Sequence, residues 1–321
     1  MKKVLSILLI TSLVILGTVS IILSTVGIET DKFNKLISRK ISESNNYIKI
    51  KLNTIKFKLD IKELSLFLET NEPFINYRNA TIPAKNLKVY IDFFSLVKSE
   101  TQIEKINVIL NEMNIKDLNN ISFIFKPSNL KSFIKNKIKY GKLNSEIEIY
   151  LNENNQLDNF IARGSVIDLK GEIIRNLNFE ETKFTFFADR SDILIKNLFS
   201  KAGPVEINDG DIKIKLLTDI SIETNFVSNL KYDENFVNYY SFLKNKQIFE
   251  NLINLEANFN NNFLISFDNT YKLKDFSFSS RGKLAKVRFL FKDQLELFPL
   301  QEKIKDFSII NSIIETKFNS K

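Results

Sequence analysis

Asp189 and Asp192, in the run Asp189-Arg190-Ser191-Asp192, are the nearest this 321-residue chain comes to a catalytic carboxylate pair. Two such acids can divide acid and base duties in a hydrolase, and a serine beside a lysine can supply a nucleophile with its base. The rest of the usual apparatus is missing. The chain has no histidine and no cysteine, which removes Ser-His and Cys-His nucleophiles, zinc–thiolate sites and disulfides. Among 38 acidic residues, neighbouring carboxylates are expected by chance. Asp189–Asp192 reads more naturally as a turn between strands, because Asp and Ser side chains close tight turns on backbone amides. The sequence reads as a non-enzyme, with no catalytic residue, no cofactor and no metal ligand.

The net charge of +8 raises nucleic acid as a partner, but only seven of the 46 basic residues are Arg. Arg is the residue suited to forked recognition of phosphates and bases. The lysines are interleaved with Asn, Ile and Phe and form no dense block. Compositional drift in an AT-rich genome explains that mixture best, and a weakly cationic surface near anionic lipid comes second. Nucleic acid is not expected.

What remains for recognition is apolar surface. The residues singled out are Leu87, Val89, Ile91, Ile147, Ile149, Ile212 and Ile214. Each occupies the apolar parity of an alternating run, which places it on one face of a strand. Such faces either fill a closed β-sandwich core or line an open groove for acyl chains, and alternation alone leaves both readings open.

The elements carrying these residues follow from the periodicity. Met1-Lys2-Lys3 precedes an uncharged apolar stretch, Val4 to Ile28, long enough as a helix to cross a hydrocarbon core of roughly 30 Å. A cleaved signal peptide is the rival reading, but its apolar region is usually only about 7–15 residues. Lysines before the stretch and acids after it place the N-terminus in the cytoplasm. A short amphipathic helix is expected over Asp31–Glu43, with Phe33, Leu36, Ile37 and Ile41 on one stripe. The period then becomes two, in Tyr47–Leu52, Ile55–Leu59, Leu87–Phe93, Glu146–Leu151, Asp211–Leu216 and Phe263–Phe267. This is the pattern of an antiparallel sheet wet on one side. Asn152–Asn155, Asn208-Asp209-Gly210 and Asn260-Asn261-Asn262 read as turns. Short helices are expected near Ser128–Lys137 and Val237–Asn251. A weak repeat links Leu157-Asp158-Asn159-Phe160 with Leu273-Lys274-Asp275-Phe276, and Lys305-Asp306-Phe307 echoes it. It reads as a recurring hairpin unit.

The order of parts resembles the AsmA-like family of bacterial envelope proteins. The resemblance rests on Lys2-Lys3 with the hydrophobic stretch, on the segment Phe33–Ile41, and on Ile55–Leu59 with Leu64-Ser65-Leu66. It continues through Ile82–Asp92, Phe94-Ser95-Leu96-Val97 and Ile103–Val108, so that it covers roughly residues 1–120. It implies an inner-membrane anchor and a periplasmic β groove that shields acyl chains while phospholipid moves toward the outer membrane. The family has no catalytic motif to carry over. Its bridge-forming members are much longer, so this chain is expected to be a short relative, a truncated product or one part of an assembly.

The expected fold is mainly β: one N-terminal transmembrane helix (1–30), an AsmA-like helix and β region (31–120), and a continuing twisted antiparallel sheet (121–321). The expected function is lipid binding and transfer, with membrane phospholipid, the inner membrane and envelope proteins as partners. The alternative is a non-enzymatic assembly factor with a closed β core. Sequencing the mature N-terminus tests the anchor: it should retain Val4–Ile28, and a chain starting after Gly17 would exclude an uncleaved anchor.

Overall fold

The structure, a computed structural model, describes residues 2–31, 34–35, 37–39, 48–63, 65–77, 80–91, 103–118, 135–154, 156–174, 177–216, 220–232, 251–268, 272–297 and 302–320. The chain opens with helix α1 (Lys2–Thr25), which is long and apolar enough to cross a membrane by length and composition. Its hydroxyls are satisfied within the helix: Thr11, Thr18 and Thr25 donate to the carbonyls of Ile7, Val14 and Ile21 at 2.8, 2.8 and 2.7 Å. In a helix that crossed a membrane, hydrocarbon would offer them no other acceptor. The apolar stretch was expected to continue as helix to Ile28, but the helix stops at Thr25. Gly27 adopts φ 76°, and its N–H and that of Val26 both donate to the Ile22 carbonyl, at 2.9 and 3.0 Å. A glycine in this left-handed conformation is the usual way to close a helix.

Beyond it the chain is a large, unclosed antiparallel sheet that divides into two compact units. One comprises Met1–Met113, Asn120–Lys126 and Asn144–Ala162, the other Asn114–Asn119, Pro127–Leu143 and Arg163–Lys321. The first unit holds β1 (Ile28–Thr30), β2 (Ile48–Lys51), β3 (Ile55–Asp60), β4 (Ser65–Asn71), β5 (Phe74–Tyr77), β6 (Ala80–Ile91), β7 (Ile103–Leu110) and the two-residue β8 (Met113–Asn114) up to Met113. Two long strands, β9 (Ile138–Leu151) and β10 (Leu157–Ile174), contribute residues to both units. The second unit continues as β11 (Leu177–Ala188), β12 (Asp192–Ala202), β13 (Val205–Lys215), β14 (Ile220–Lys231), β15 (Leu252–Phe267), β16 (Leu273–Leu297) and β17 (Glu302–Asn319).

In the first unit, pairings run β1–β3–β4–β6–β7–β9, and β2 joins β6 through β5. The parity break at Asn53-Thr54 therefore separates β2, which pairs with β5, from β3, which pairs with β1 and β4. Cross-strand register gathers the apolar parity into rows, one of which is Ile28, Phe57, Leu68, Val89, Ile106 and Ile149. The opposite face alternates charge: Lys56, Glu69, Lys88, Asn107 and Glu148 lie in register. Glu69 takes an ion pair from Lys58 at 2.6 Å and a hydrogen bond from the Asn86 amide at 3.0 Å. Burial raises the Glu69 pKa, but those hydrogen bonds and the charges of Lys58 and Lys88 outweigh it and hold the carboxyl below its ordinary value.

In the second unit each strand from β11 to β17 pairs antiparallel with the next. The turns expected at Asn152–Asn155 and Asp189–Asp192 are found, with Asn155 itself outside the described residues. The Asn152 side chain accepts from the N–H groups of Asn154 and Gln156 at 3.0 and 2.9 Å. Two other expected turns lie inside strands. Asn208-Asp209-Gly210 forms a bulge in β13, with Asp209 at φ 49° and a register shift between Asn208 and Asp211. Asn260-Asn261-Asn262 runs straight through β15. There the buried Asn261 amide donates to Ser228 Oγ at 2.9 Å and to the Phe259 carbonyl at 3.1 Å. Both arise because residues that tolerate turns also tolerate bulges and strand-interior hydrogen bonding.

Among the residues of the expected helices, Asn34, Lys35 and Ile37–Arg39 are helical, as are residues 135–137. Phe33, Leu36, Lys40, Ile41, the rest of the Ser128–Lys137 segment and residues 237–250 lie outside the described residues, as does Phe94–Val97 of the family-like stretch.

A glycine marks the closest backbone approach in the second unit. A Cβ on Gly282 would meet the Asn258 carbonyl at 2.0 Å and the Phe259 ring at 2.6 Å. Two measurements follow. Gly282→Ala should lower stability by about 1–3 kcal/mol in urea unfolding, whereas an unchanged midpoint would contradict this approach. Because the folded Glu69 pKa is depressed, its contribution is present above the usual carboxylate range and is lost as pH falls through the folded value. The acid-induced drop in melting temperature should therefore be smaller in Glu69→Gln than in the parent chain. Equal drops would contradict a stabilising role for the ionised Glu69.

Candidate apolar binding face

The seven residues that the alternation singles out fall into two sets. Leu87, Val89 and Ile91 on β6 are 3%, 3% and 5% exposed and belong to one packed cluster with Ile37, Leu52, Ile55 and Leu68. The cavity among Leu87, Val89 and their neighbours is about 10 Å³, room for one water at most. It cannot hold an acyl chain. Ile147 and Ile149 continue the same face on β9, in register with Val108 and Ile106, yet both are only half-buried. Within the first unit, then, the apolar face is closed over β3, β4 and β6 and less covered over β7 and β9.

Ile212 and Ile214 on β13 belong to the second unit and to a different environment. Ile214 pairs with Ile193 on one side and Ile222 on the other; Ile222 pairs with Ile265, and Ile265 with Phe276. Ala188, opposite Ile193, extends this row to β11. The neighbouring row runs Phe186, Ile195, Ile212, Thr224, Phe263, Phe278 and Phe318. Seven strands at about 4.8 Å spacing carry it across roughly 29 Å. Every member of the two rows is half-buried except Phe318, which is 59% exposed. None is packed like Val89. Two adjoining rows of isoleucine and phenylalanine therefore form a continuous apolar band.

The same face changes character further along the strands. Phe226, Asn261, Ser280 and Thr316 make a largely polar row. Past it, Leu252, Ala257, Leu284 and Val287 form a buried cluster, against which Leu230, Leu255, Phe259 and Ile309 pack. The band thus has a polar border on the side of a closed core. Its reverse face is mixed: the row Phe187, Leu194, Lys213, Glu223, Leu264 and Ser277 sets exposed Phe187 and Leu264 beside exposed Lys213 and Glu223, and Lys196 pairs with Asp211.

The acids considered for chemistry serve the chain itself. The Asp189 carboxylate accepts from Ser191 N–H at 2.7 Å, Ser191 Oγ at 2.8 Å and Asp192 N–H at 2.8 Å. The Asp192 and Ser191 amides and the Ser191 hydroxyl hold its pKa below the ordinary value, so it stays ionised as the clasp of the β11–β12 turn. Tyr90, in contrast, is pushed up to about 12 by burial and by Glu63, Asp60, Glu148 and Glu146 around it. The Lys105 ammonium sits 4.2 Å from the centre of its ring. Among the described residues, no group of three or more acids is placed to share a metal ion.

Periodicity located the band at Ile212 and Ile214 but missed most of its members. Ile193, Ile195, Ile222, Phe276 and Phe278 could have been found by extending the same parity count to every strand. Compared with protein-family models, curated proteins and solved structures, the chain matches none.

Proposed function

We propose that this chain is a membrane-anchored lipid-binding protein, in which the band through Ile212 and Ile214 holds phospholipid acyl chains during transfer between the two membranes of a bacterial envelope. The observation that carries the reading is the band itself: two adjoining, mostly apolar rows that are only half-buried along their length, with Lys213 and Glu223 exposed behind them. Apolar surface of this extent usually marks a binding face. An acyl chain laid on it gains about 0.8 kcal/mol per buried methylene, so a handful of methylenes offsets the cost of ordering the chain.

Two further features support it. The N-terminal helix has the length and composition of an anchor, and Lys2-Lys3 before it favours a cytoplasmic N-terminus with the β units on the far side. The order of parts is the one that resembles the AsmA-like envelope proteins. The function needs no catalytic group, and none is assigned. The second reading, an assembly factor with a closed core, draws on Leu87, Val89 and Ile91, whose side chains are packed rather than available. These three are the weakest lipid contacts of the seven; Ile147 and Ile149 are intermediate.

Photoreactive residues in the membrane-embedded full chain separate the readings. Ile214 and Ile222 should capture phospholipid, whereas Lys213 and Glu223 on the reverse face should not. Capture of protein alone at Ile214 and Ile222 would remove lipid transfer and leave the assembly factor.

A further inference from the structure

The most exposed apolar side chains of the second unit lie not in the band but on the reverse face. On β17, Ile310 is 60% and Ile313 is 73% exposed. Strict alternation would send residues three apart to opposite faces. Here Asn311 takes φ 52° between them, and the flanking contacts fix the outcome. Ile309 pairs with Val287 and Ser312 with Leu284, both of which are buried in the closed cluster. Ile310 and Ile313 therefore point away from that cluster, side by side on the other face.

Their cross-strand partners there are cationic. Ile313 is opposite Lys283, and Ile310 is opposite Lys286. Arg281 lies one position further along that face of β16, and Lys231 follows Lys286 across Glu256 in the next two strands. All four cations are exposed. Three carboxylates share the area, one of them Asp306, which is held by Arg288 and also feels the charge of Lys286. Glu256 stands between Lys231 and Lys286, and Glu315, opposite Arg281, is paired with Lys317 at 2.7 Å. Cations exceed acids, and they flank, on the β16 side, two isoleucines that stand exposed.

We propose that this face, centred on Ile310 and Ile313, docks onto an anionic phospholipid surface. The pairing of chemistries commits to that occupant. Isoleucines standing free of a sheet need hydrocarbon, and a flank of lysine and arginine on the same face needs phosphate; a lipid headgroup layer presents both at adjoining depths. A partner strand added to the edge of β17 would use backbone groups and would not require the lysines. The face lies on the reverse side of the sheet from Ile214, so the proposal does not depend on the band holding acyl chains.

The absence of cysteine makes the test direct, because Ile313→Cys gives the full chain a single thiol. The protein is held in phosphatidylcholine nanodiscs, labelled with an environment-sensitive fluorophore, and titrated with vesicles of phosphatidylcholine alone or mixed with phosphatidylglycerol. The label should brighten and shift to the blue only with the anionic vesicles, and less so at high salt. Adding Lys283→Glu and Lys286→Glu should weaken the response about tenfold or more, with the circular dichroism spectrum unchanged. An equal response to both vesicle types, no response, or insensitivity to the charge reversal would each overturn the docking face. A separate label at Ile222→Cys reports on the band. A response there without one at Ile313 removes docking and leaves lipid binding standing, and the converse result separates them the other way.

Discussion

Which residue stands opposite which across neighbouring strands decides nearly everything about these two units. Side chains alternate with a period of two, so a slip of one residue between β13 and β14 would carry Ile212 and Ile214 to the charged face and bring Lys213 into the apolar rows. The observed register, Ile214 to Ile222 and Lys213 to Glu223, keeps like with like on both faces at once. The same logic holds in the first unit, where Val89 opposite Ile106 and Lys88 opposite Asn107 separate the packed cluster from the charge network around Glu69. Opposite charges set across strands add modest attraction. Their greater effect is to penalise the wrong register.

Bulges let that alternation survive in strands this long. Glu181, Asn197 and Asp209 adopt φ of 51°, 55° and 49°, and register shifts fall beside them in β11, β12 and β13. Each admits an extra residue and bends its strand locally. The glycine after Asp209 has a matching role: a Cβ on Gly210 would lie 2.9 Å from that of Leu198 on the adjoining strand. Asn311 does for Ile310 and Ile313 what these bulges do elsewhere, with the difference that the residues it re-aims face outward.

The fold was legible where one strand's pattern suffices. Glu146–Leu151 and Asp211–Lys215 are strands because alternating isoleucine with charge has no comparable helical solution. Misreadings arose where one residue type serves two backbone purposes, as with Asn208-Asp209-Gly210 and Asn260–Asn262. The candidate site was half legible for a different reason. Alternation tells which face is apolar but not what lies over it. Leu87 and Val89 share a cluster with Ile37 and Leu52, residues far from them in sequence, and nothing within β6 announces that cover. Ile310 and Ile313 escaped notice because their spacing of three breaks the period used to search for strands.

The consecutive strand pairing from β11 to β17 has a kinetic consequence. Each strand finds its partner in the one made just before it, so every loop but the long one between Lys231 and Leu252 is short even though the finished sheet is wide. Low sequence separation between contacting residues favours rapid assembly. A chain drawn across a membrane from its N-terminus would emerge in the order in which these pairings form. Each new strand would then meet a ready template, without waiting for distant segments. The first unit lacks this property. β1 must wait for β3, β4 for β6 and β7 for β9, so the segment nearest the helix is the one whose pairing is delayed by intervening chain.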